Sequence, residues 1–409
     1  MKSSKISYLW EFPKFLKKIS ELNDIIFFFP FYHFGGGETV HLDILKFFQK
    51  YGTSCFIAHE SENDFLKDQF YKATQIIELS AYKSSKYDSY LKSLAKVINS
   101  KTHPVVFGCN NRFFYRLIEY LDEDRVKIID LTHAFSYEDP YAVEKFSLQI
   151  VHKIHKRVVL GEQTYLDYKE LYSSKHINLD LLKRLVIIPN SVEIPDTFIK
   201  KPDNEILKIL FVSRNSYEKR PEVFFEIAKR CFTRKINASF KVIGDFVNVE
   251  NTIPNLEIIG SIKEKETLND YYLESDILLI TSFREGLPMV IIEGMAYGIV
   301  PVSTNVGEIS SLINPENNNG ILLNDISLER YSKIKPAFGK NKKWYPANKL
   351  TDTPEDLEKV IEEFILTIEN FNKNRELLKK FSANAYKSVR KEFSKTTQEK
   401  SYLDLFFKR

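Results

Sequence analysis

The feature that most constrains this chain is a rhythm that it keeps twice. Apolar runs of strand length, rich in Phe, Ile and Val, alternate with segments whose apolar residues recur at helical spacing. A strand that is apolar on both faces has both faces covered, and consecutive parallel strands need a crossover that is usually a helix. The rhythm therefore predicts parallel sheets layered with helices, an α/β class. In the first series the expected strands are Ile25–Pro30, Ser54–Ala58, Pro104–Cys109, Val126–Leu131, Arg157–Leu160 and Leu185–Pro189, with helices at Val40–Tyr51, Tyr87–Asn99 and Arg112–Leu121. The pattern pauses over Glu193–Asn204, which is polar and holds Pro195 and Pro202, and this places a linker there. A second series follows with strands at Ile206–Ser213, Phe240–Gly244, Leu256–Ile259, Asp276–Thr281, Ile299–Ser303 and Gly320–Leu323. Two Rossmann-like lobes result, at 1–195 and 196–375, with a helical segment at 376–409.

A chain of 409 residues is too long for one ordinary core and suits two. Its 59 basic and 55 acidic residues nearly balance, which argues against nucleic acid as a partner. Cys55, Cys109 and Cys231 are scattered, with no Cys-x-x-Cys pair and no metal-ligand spacing, and read as buried thiols in a reducing compartment. The N-terminal residues contain no apolar signal core, and no stretch is apolar for long enough to span a bilayer. The expectation is a cytoplasmic protein. Ser7–Ile19 sets Leu9, Trp10, Phe12, Phe15, Leu16 and Ile19 among Lys14, Lys17 and Lys18. We read it as a packed arm interrupted at Pro13, with peripheral contact to the inner face of an anionic membrane as the alternative. The Lys-rich stretch Tyr331–Leu350 breaks the rhythm and reads as a long exposed loop.

The chemistry concentrates in Thr281-Ser-Phe-Arg-Glu-Gly-Leu-Pro-Met-Val-Ile-Ile-Glu-Gly-Met-Ala-Tyr-Gly-Ile-Val-Pro301. Asp276–Thr281 is a buried strand, Glu285-Gly286-Leu287 a turn, Pro288 the first helical position and Gly298 a left-handed stop. Open α/β sheets bind ligands where a strand's carboxyl end runs into a helix start, and the unpaired N–H groups there attract phosphate. Glu285 falls at that mouth. Glu293 lies about one and a half turns into the helix, where it would reach a different part of an extended ligand. Arg214 and Lys219, five apart at the end of the second lobe's first strand, are apt for a pyrophosphate. In the first lobe Gly35-Gly36-Gly37-Glu38 lies between a strand and a helix beginning near Val40, where glycines with positive φ would let backbone approach a ligand. His133 ends another strand. The other seven histidines show no comparable placement, with His33 a minor candidate.

These segments resemble family 4 of the retaining glycosyltransferases. The Glu-x7-Glu frame with its inner Gly-Leu-Pro and trailing Gly-Met-Ala-x-Gly-x-x-Pro-Val is similar to the family's signature, with Gly294 in place of Ala. Ser213-Arg-Asn-Ser-Tyr-Glu-Lys219 resembles its G-R-L-x-x-E-K, and Lys241-Val-Ile-Gly244-Asp its following strand end. Val306-Gly-Glu308, Ile188-Pro-Asn-Ser-Val192 and the Gly-Gly-x-Glu loop are also similar to family segments. The resemblance implies the GT-B architecture: two Rossmann-like parallel-sheet domains facing a cleft, with C-terminal helices packing back on the N-terminal domain. It implies transfer of a sugar from a nucleoside diphosphate sugar, with retention and without a metal, to a glycan, lipid-linked or polymer acceptor. Arg214 and Lys219 would hold the diphosphate, Glu285 the sugar hydroxyls and Glu293 the ribose, with His133 near the donor sugar. Gly35, Gly36, Gly37, Gly244, Gly286, Leu287 and Pro288 would complete the donor site. No Asp-x-Asp pair stands at a strand end to bridge a diphosphate through a metal. Two alternatives stay open, a non-catalytic GT-B subunit and a nucleotide-sugar epimerase or hydrolase.

Overall fold

The computed structural model describes residues 3–33, 35–82, 87–135, 142–202, 204–246, 248–327 and 354–408. The Lys-rich stretch 331–350 lies outside them. The chain divides into two compact units, one of residues 1–190 with 396–409 and one of residues 191–395.

The first unit is built on seven parallel strands in the order β3-β2-β1-β4-β5-β6-β7. They are β1 (Ile25–Phe29), β2 (Thr53–Ile57), β3 (Gln75–Glu78), β4 (Val105–Cys109), β5 (Lys127–Thr132), β6 (Lys156–Val159) and β7 (Leu185–Ile187). Every residue of β1 is buried, because helices cover both faces of the strand at the sheet's centre. Phe28 packs on Phe56 and Phe114 on one side, while Phe27 meets Phe48 and Phe107 on the other. Each such ring contributes about 1.5–3 kcal/mol by leaving water, and Phe28→Ala would cost about 3–5 kcal/mol. Helix Ser3–Ser20 runs straight through Pro13, contrary to the expected interruption. Pro13 lies on the exposed side, where water can take up the carbonyl that proline leaves unbonded. Phe15 and Ile19 are buried from the opposite side, with Phe15 edge-on to Tyr90 at 4.8 Å.

The second unit carries six parallel strands in the order β10-β9-β8-β11-β12-β13. These are β8 (Leu207–Val212), β9 (Ala238–Ile243), β10 (Leu256–Gly260), β11 (Ile277–Ile280), β12 (Val300–Thr304) and β13 (Ile321–Leu323). Helix Glu355–Lys373 buries Leu357, Val360, Ile361, Phe364, Ile365 and Ile368 in this unit's core. Helix Arg375–Glu392 also stays with the second unit, where Ser382 Oγ donates to the carbonyl of Gly298 at 2.5 Å. Only the last helix, Lys395–Phe407, returns to the first unit. Its Phe406 ring sits 4.2 Å from Phe48, and Lys127 Nζ donates to the terminal carbonyls of Phe406 and Lys408 at 3.1 and 3.0 Å.

In both sheets the strand order reverses once, between β1 and β4 in the first and between β8 and β11 in the second. The crevice outside the carboxyl ends of such a strand pair is where open α/β sheets bind ligands. The fold thereby nominates two places before any side chain is considered.

Candidate functional site

At the reversal point of the second sheet, the loops after β8 and β11 carry most of the residues singled out in the sequence. The loop after β8 leads through Ser213, Arg214 and Ser216 into a short 3-10 turn at Tyr217–Lys219. The loop after β11 carries Ser282, Glu285, Gly286 and Leu287 into helix Met289–Ala296. Pro288 is the residue before that helix, with extended backbone, and not its first turn as expected from sequence. The final position of a strand-to-helix turn needs that extended conformation, which proline's φ permits. Gly298 closes the helix with φ +70°.

The two loops are tied together by an ion pair. Lys219 Nζ donates to both carboxylate oxygens of Glu285, at 2.7 and 2.6 Å, and Ser282 Oγ donates to Oε1 at 2.6 Å. The Glu285 side chain is only 8% exposed and that of Lys219 20%. Backbone bonds reinforce the pair: Phe283 N donates to Glu218 O at 3.0 Å and Thr281 Oγ1 to Lys219 O at 2.8 Å. Below them the fully buried Arg220 guanidinium pairs with Asp325 and donates to Ser327 and to the carbonyl of Thr281. Sequence reading missed Arg220, since its acidic partner lies 105 residues away. Arg214 is different. Its side chain is 79% exposed and, among the described residues, makes its ion pair only with the Glu218 carboxylate, at 3.2 Å. Burial works against the Glu218 carboxylate, but a backbone hydrogen bond, the Ser216 hydroxyl and the cations Arg214 and Lys219 hold it below the usual range.

Two glycines make the close approaches. Gly307, at φ +56°, has a hydrogen where a Cβ would lie 2.2 Å from the Glu285 carbonyl oxygen, and Glu308 N donates to Gly286 O at 3.0 Å. Gly244, at φ +144°, would put a Cβ 1.9 Å from the Ser213 carbonyl oxygen. Both positions need the left-handed region and the missing side chain, so no other residue fits without moving the turn. The tight position at this strand end is Gly244, which leaves Ser213 free to stand where the resemblance has glycine.

Among the described residues no hydrogen bond or ion pair joins Glu293 to the Lys219–Glu285 cluster. It is half-buried, and the hydroxyl of the fully buried Tyr272 donates to its Oε2 at 3.0 Å. Burial pushes its carboxyl above the usual range, against the Tyr272 hydrogen bond and the Lys265 charge.

The first sheet's reversal point carries a second group. Gly35 precedes helix Gly36–Phe48, which begins four residues earlier than the expected Val40. The glycines therefore form the entry and first turn of the helix, and Gly35 is extended at φ −177°. The expected positive φ is absent from Gly35 and from Gly36 and Gly37, because a helix start requires none. Open space is left at Gly37, where a Cβ would meet nothing within 4 Å beside the unpaired N–H groups of a helix start, whereas a Cβ on Gly35 would lie 2.3 Å from the Glu38 carboxylate. Glu38 faces His33 at 3.6 Å.

His133, half-buried after β5, is held by a group that the sequence did not reveal. Its Nε2 lies 2.8 Å from Nε2 of His41, and that atom is 3.0 Å from Cys109 Sγ. The expectation that no other histidine has a comparable placement fails at His41, which sits 92 residues away on the helix after β1. Burial pushes both imidazoles down, His133 to about 4, so both are neutral at pH 7. The strand end itself is anchored by the buried Asp130–Arg157 pair, at 2.6 Å, between β5 and β6. His41, Cys109 and His133 are ligand types for a soft cation. Their spacing is that of hydrogen bonds, however, since two ligands on a tetrahedral zinc ion stand roughly 3.3 Å or more apart.

Two parallel Rossmann-like sheets, each with ligand-suited loops at its reversal point, define the GT-B fold of glycosyltransferases. The solved structures of similar shape agree. A glycosyltransferase from Rickettsia africae superposes with a TM-score of 0.66 at 18% identity, covering 93% of this chain and 97% of its own. HepE of Anabaena, in complex with UDP and glucose, does so with a TM-score of 0.64 at 13% identity, covering 94% and 99%. More particularly, the model of the family described as glycosyl transferases group 1 matches residues 195–333. An uncharacterised 41.2 kDa protein of the Klebsiella pneumoniae cps region is 25% identical over 52% of this chain, and the match spans 60% of that protein's length. Among the described residues no helix is long and apolar enough to cross a membrane.

Proposed function

We propose that this protein is a retaining glycosyltransferase that moves a sugar from a nucleoside diphosphate sugar to a glycan, lipid-linked or polymer acceptor without a divalent metal. The observation that carries the reading is the Lys219–Glu285 pair, with Arg214 beside it in sequence, on the two loops that flank the second sheet's reversal point. A leaving diphosphate gains charge as the glycosidic bond breaks, and preorganised cations stabilise that charge more in the transition state than before it. Arg214, Lys219 and the N–H groups entering helix Met289–Ala296 are the groups suited to this. Glu285 would accept hydrogen bonds from sugar hydroxyls and Glu293 from the ribose, and the family resemblance assigns His133 a role near the donor sugar. Gly35, Gly36 and Gly37 would offer backbone N–H groups. The UDP and glucose bound by HepE favour a uridine nucleotide as the first donor to try.

The test begins with thermal shift across uridine, guanosine and adenosine diphosphate sugars, followed by transfer assays with the donor that stabilises most. The anomeric configuration of the product, read by NMR, should match that of the donor. Exhaustive chelation should leave at least about half the turnover. Inversion, or activity lost on chelation and restored by Mg²⁺, would overturn the corresponding part of the proposal. Donor consumption without any acceptor would instead identify a hydrolase or epimerase.

A further inference from the structure

The contact between His41 and His133 sets a proton-counting problem with one economical answer. A neutral imidazole has one N–H and one lone pair, and here both rings are neutral. An N···N separation of 2.8 Å needs a single proton between the two Nε2 atoms. If His133 supplied it, the lone pair of His41 Nε2 would be the acceptor, and His41 would carry its own proton on Nδ1. That atom is buried and has no partner among the described residues. Orphaned buried N–H donors are rarer than under-satisfied acceptors. The Cys109 thiol, 3.0 Å from the same Nε2, would then also have to donate to a lone pair already taken. If His41 supplies the proton, its one N–H is shared between His133 Nε2 and Cys109 Sγ, and Nδ1 is left as a bare lone pair.

We propose that His41 is a positioning residue, whose Nε2–H holds His133 in the form that carries its proton on Nδ1. The ring of His41 is 1% exposed and lies flat on Phe29 at 4.3 Å with 6° between planes, so it cannot turn away. His133 is left with a fixed donor on Nδ1 and no basic nitrogen to offer. Resting on the proposed placement of His133 near the donor sugar, this makes His133 a group that orients an oxygen and not one that removes a proton. The same constraint explains why a second histidine belongs at position 41, on a helix that otherwise buries only Asp43 among its ionisable side chains.

The test is the tautomeric state itself, read in the full chain labelled with ¹⁵N-histidine, with long-range proton–nitrogen spectra. The His133 signals are assigned by their loss in His133→Gln. The expected result is a protonated Nδ1 and an unprotonated Nε2 on His133, with the reverse on His41. His133 found with its proton on Nε2 would overturn the proposal, and this reading needs no activity and no other variant. In His41→Phe, which keeps a flat ring but has no donor, His133 should shift toward the Nε2–H form. In His41→Gln, whose side-chain amide can donate, the wild-type pattern should return. Transfer assays add a split: kcat should fall about tenfold in His41→Phe, the scale on which losing a ring-orienting partner is felt, with the donor KM unchanged. His41→Gln should recover most of it. An unchanged His133 tautomer in His41→Phe would also overturn the proposal. If no sugar transfer is found at all, the proposed function fails while the spectra still decide the role of His41.

Discussion

Replacing Lys219 by methionine removes the ammonium and keeps the length of the stem, which isolates the charge. The structure allows the cost to be worked out. Two unit charges 2.6 Å apart attract by about 6 kcal/mol at an effective dielectric of 20, a gross figure that both partners' lost hydration largely offsets. With the Lys219 side chain 20% exposed, water screens part of the pair, while the 8% exposed Glu285 would keep, among the described residues, the Ser282 hydroxyl as its side-chain partner. The net cost of stranding that carboxylate should be about 2 kcal/mol, between a surface pair and a fully buried one. For a unit of this size that lowers the melting point by about 4–8 °C. Glu285→Gln, which strands an ammonium able to reach water, should cost less. The double variant Lys219→Met/Glu285→Gln has no buried charge left and should recover most of the loss. Thermal unfolding of the four proteins, arranged as a double-mutant cycle, measures the coupling directly. Strict additivity, with the double variant as unstable as the two singles summed, would refute the idea that this pair ties the two loops together.

Two further outcomes follow from the contrast among the charged groups. Arg214→Ala should change stability by less than about 0.5 kcal/mol, because the side chain is 79% exposed, yet it should cut kcat by roughly 10²–10³; a change in KM alone would sink its assignment to the leaving group. Glu293→Gln should raise the donor KM and spare kcat, since ribose contacts are alike in the ground and transition states. It should also make the protein at least as stable as wild type at pH 7. Burial raises the folded carboxyl above its unfolded value of 4.5, so the native state binds the extra proton and stability falls as pH rises through that window. The gain from Gln should thus be full at neutral pH and fade toward pH 4, as read by urea unfolding across pH; a variant less stable at neutral pH than at pH 4, relative to wild type, would contradict this.

Among the described residues, twelve of the thirteen strands are legible in the sequence because a strand covered on both faces must be apolar throughout, and the runs at Ile25–Pro30 and Asp276–Thr281 are unmistakable on that ground. The strand that escapes is β3, Gln75-Ile-Ile-Glu78, an edge strand with two apolar residues, too short for periodicity to separate from a loop. Helix starts are read less well. Glycines at 35–37 look like a loop, yet they become the entry and first turn of a helix because an exposed first turn asks little of propensity. The helix Ser3–Ser20 survives Pro13 because Phe15 and Ile19 on its other side pack into the core.

The candidate site divides along the same physical line. Residues whose chemistry is announced by a local segment, such as Arg214, Lys219, Glu285 and Glu293, could be named from the chain because a strand end running into a turn and a helix start is a local pattern. Which of them meet is a matter of strand order. Lys219 and Glu285 are 66 residues apart, and they touch because β8 and β11 are neighbours in the sheet although two strands intervene in sequence. His41 and His133 are separated by 92 residues and meet by the same kind of reordering, across the carboxyl ends of β1, β4 and β5. No spacing rule in one dimension reports such a pair. The helix that follows β1 starts at the carboxyl edge of the sheet, next to the strand-order reversal, and a buried polar side chain near its start has to find a partner there or pay for its burial. His41 finds Cys109 at the end of β4 and His133 just beyond β5. The buried histidine is thus intelligible as the answer to a burial problem set by topology, and its consequence for the proton on His133 is the part of the site that only the three-dimensional arrangement discloses.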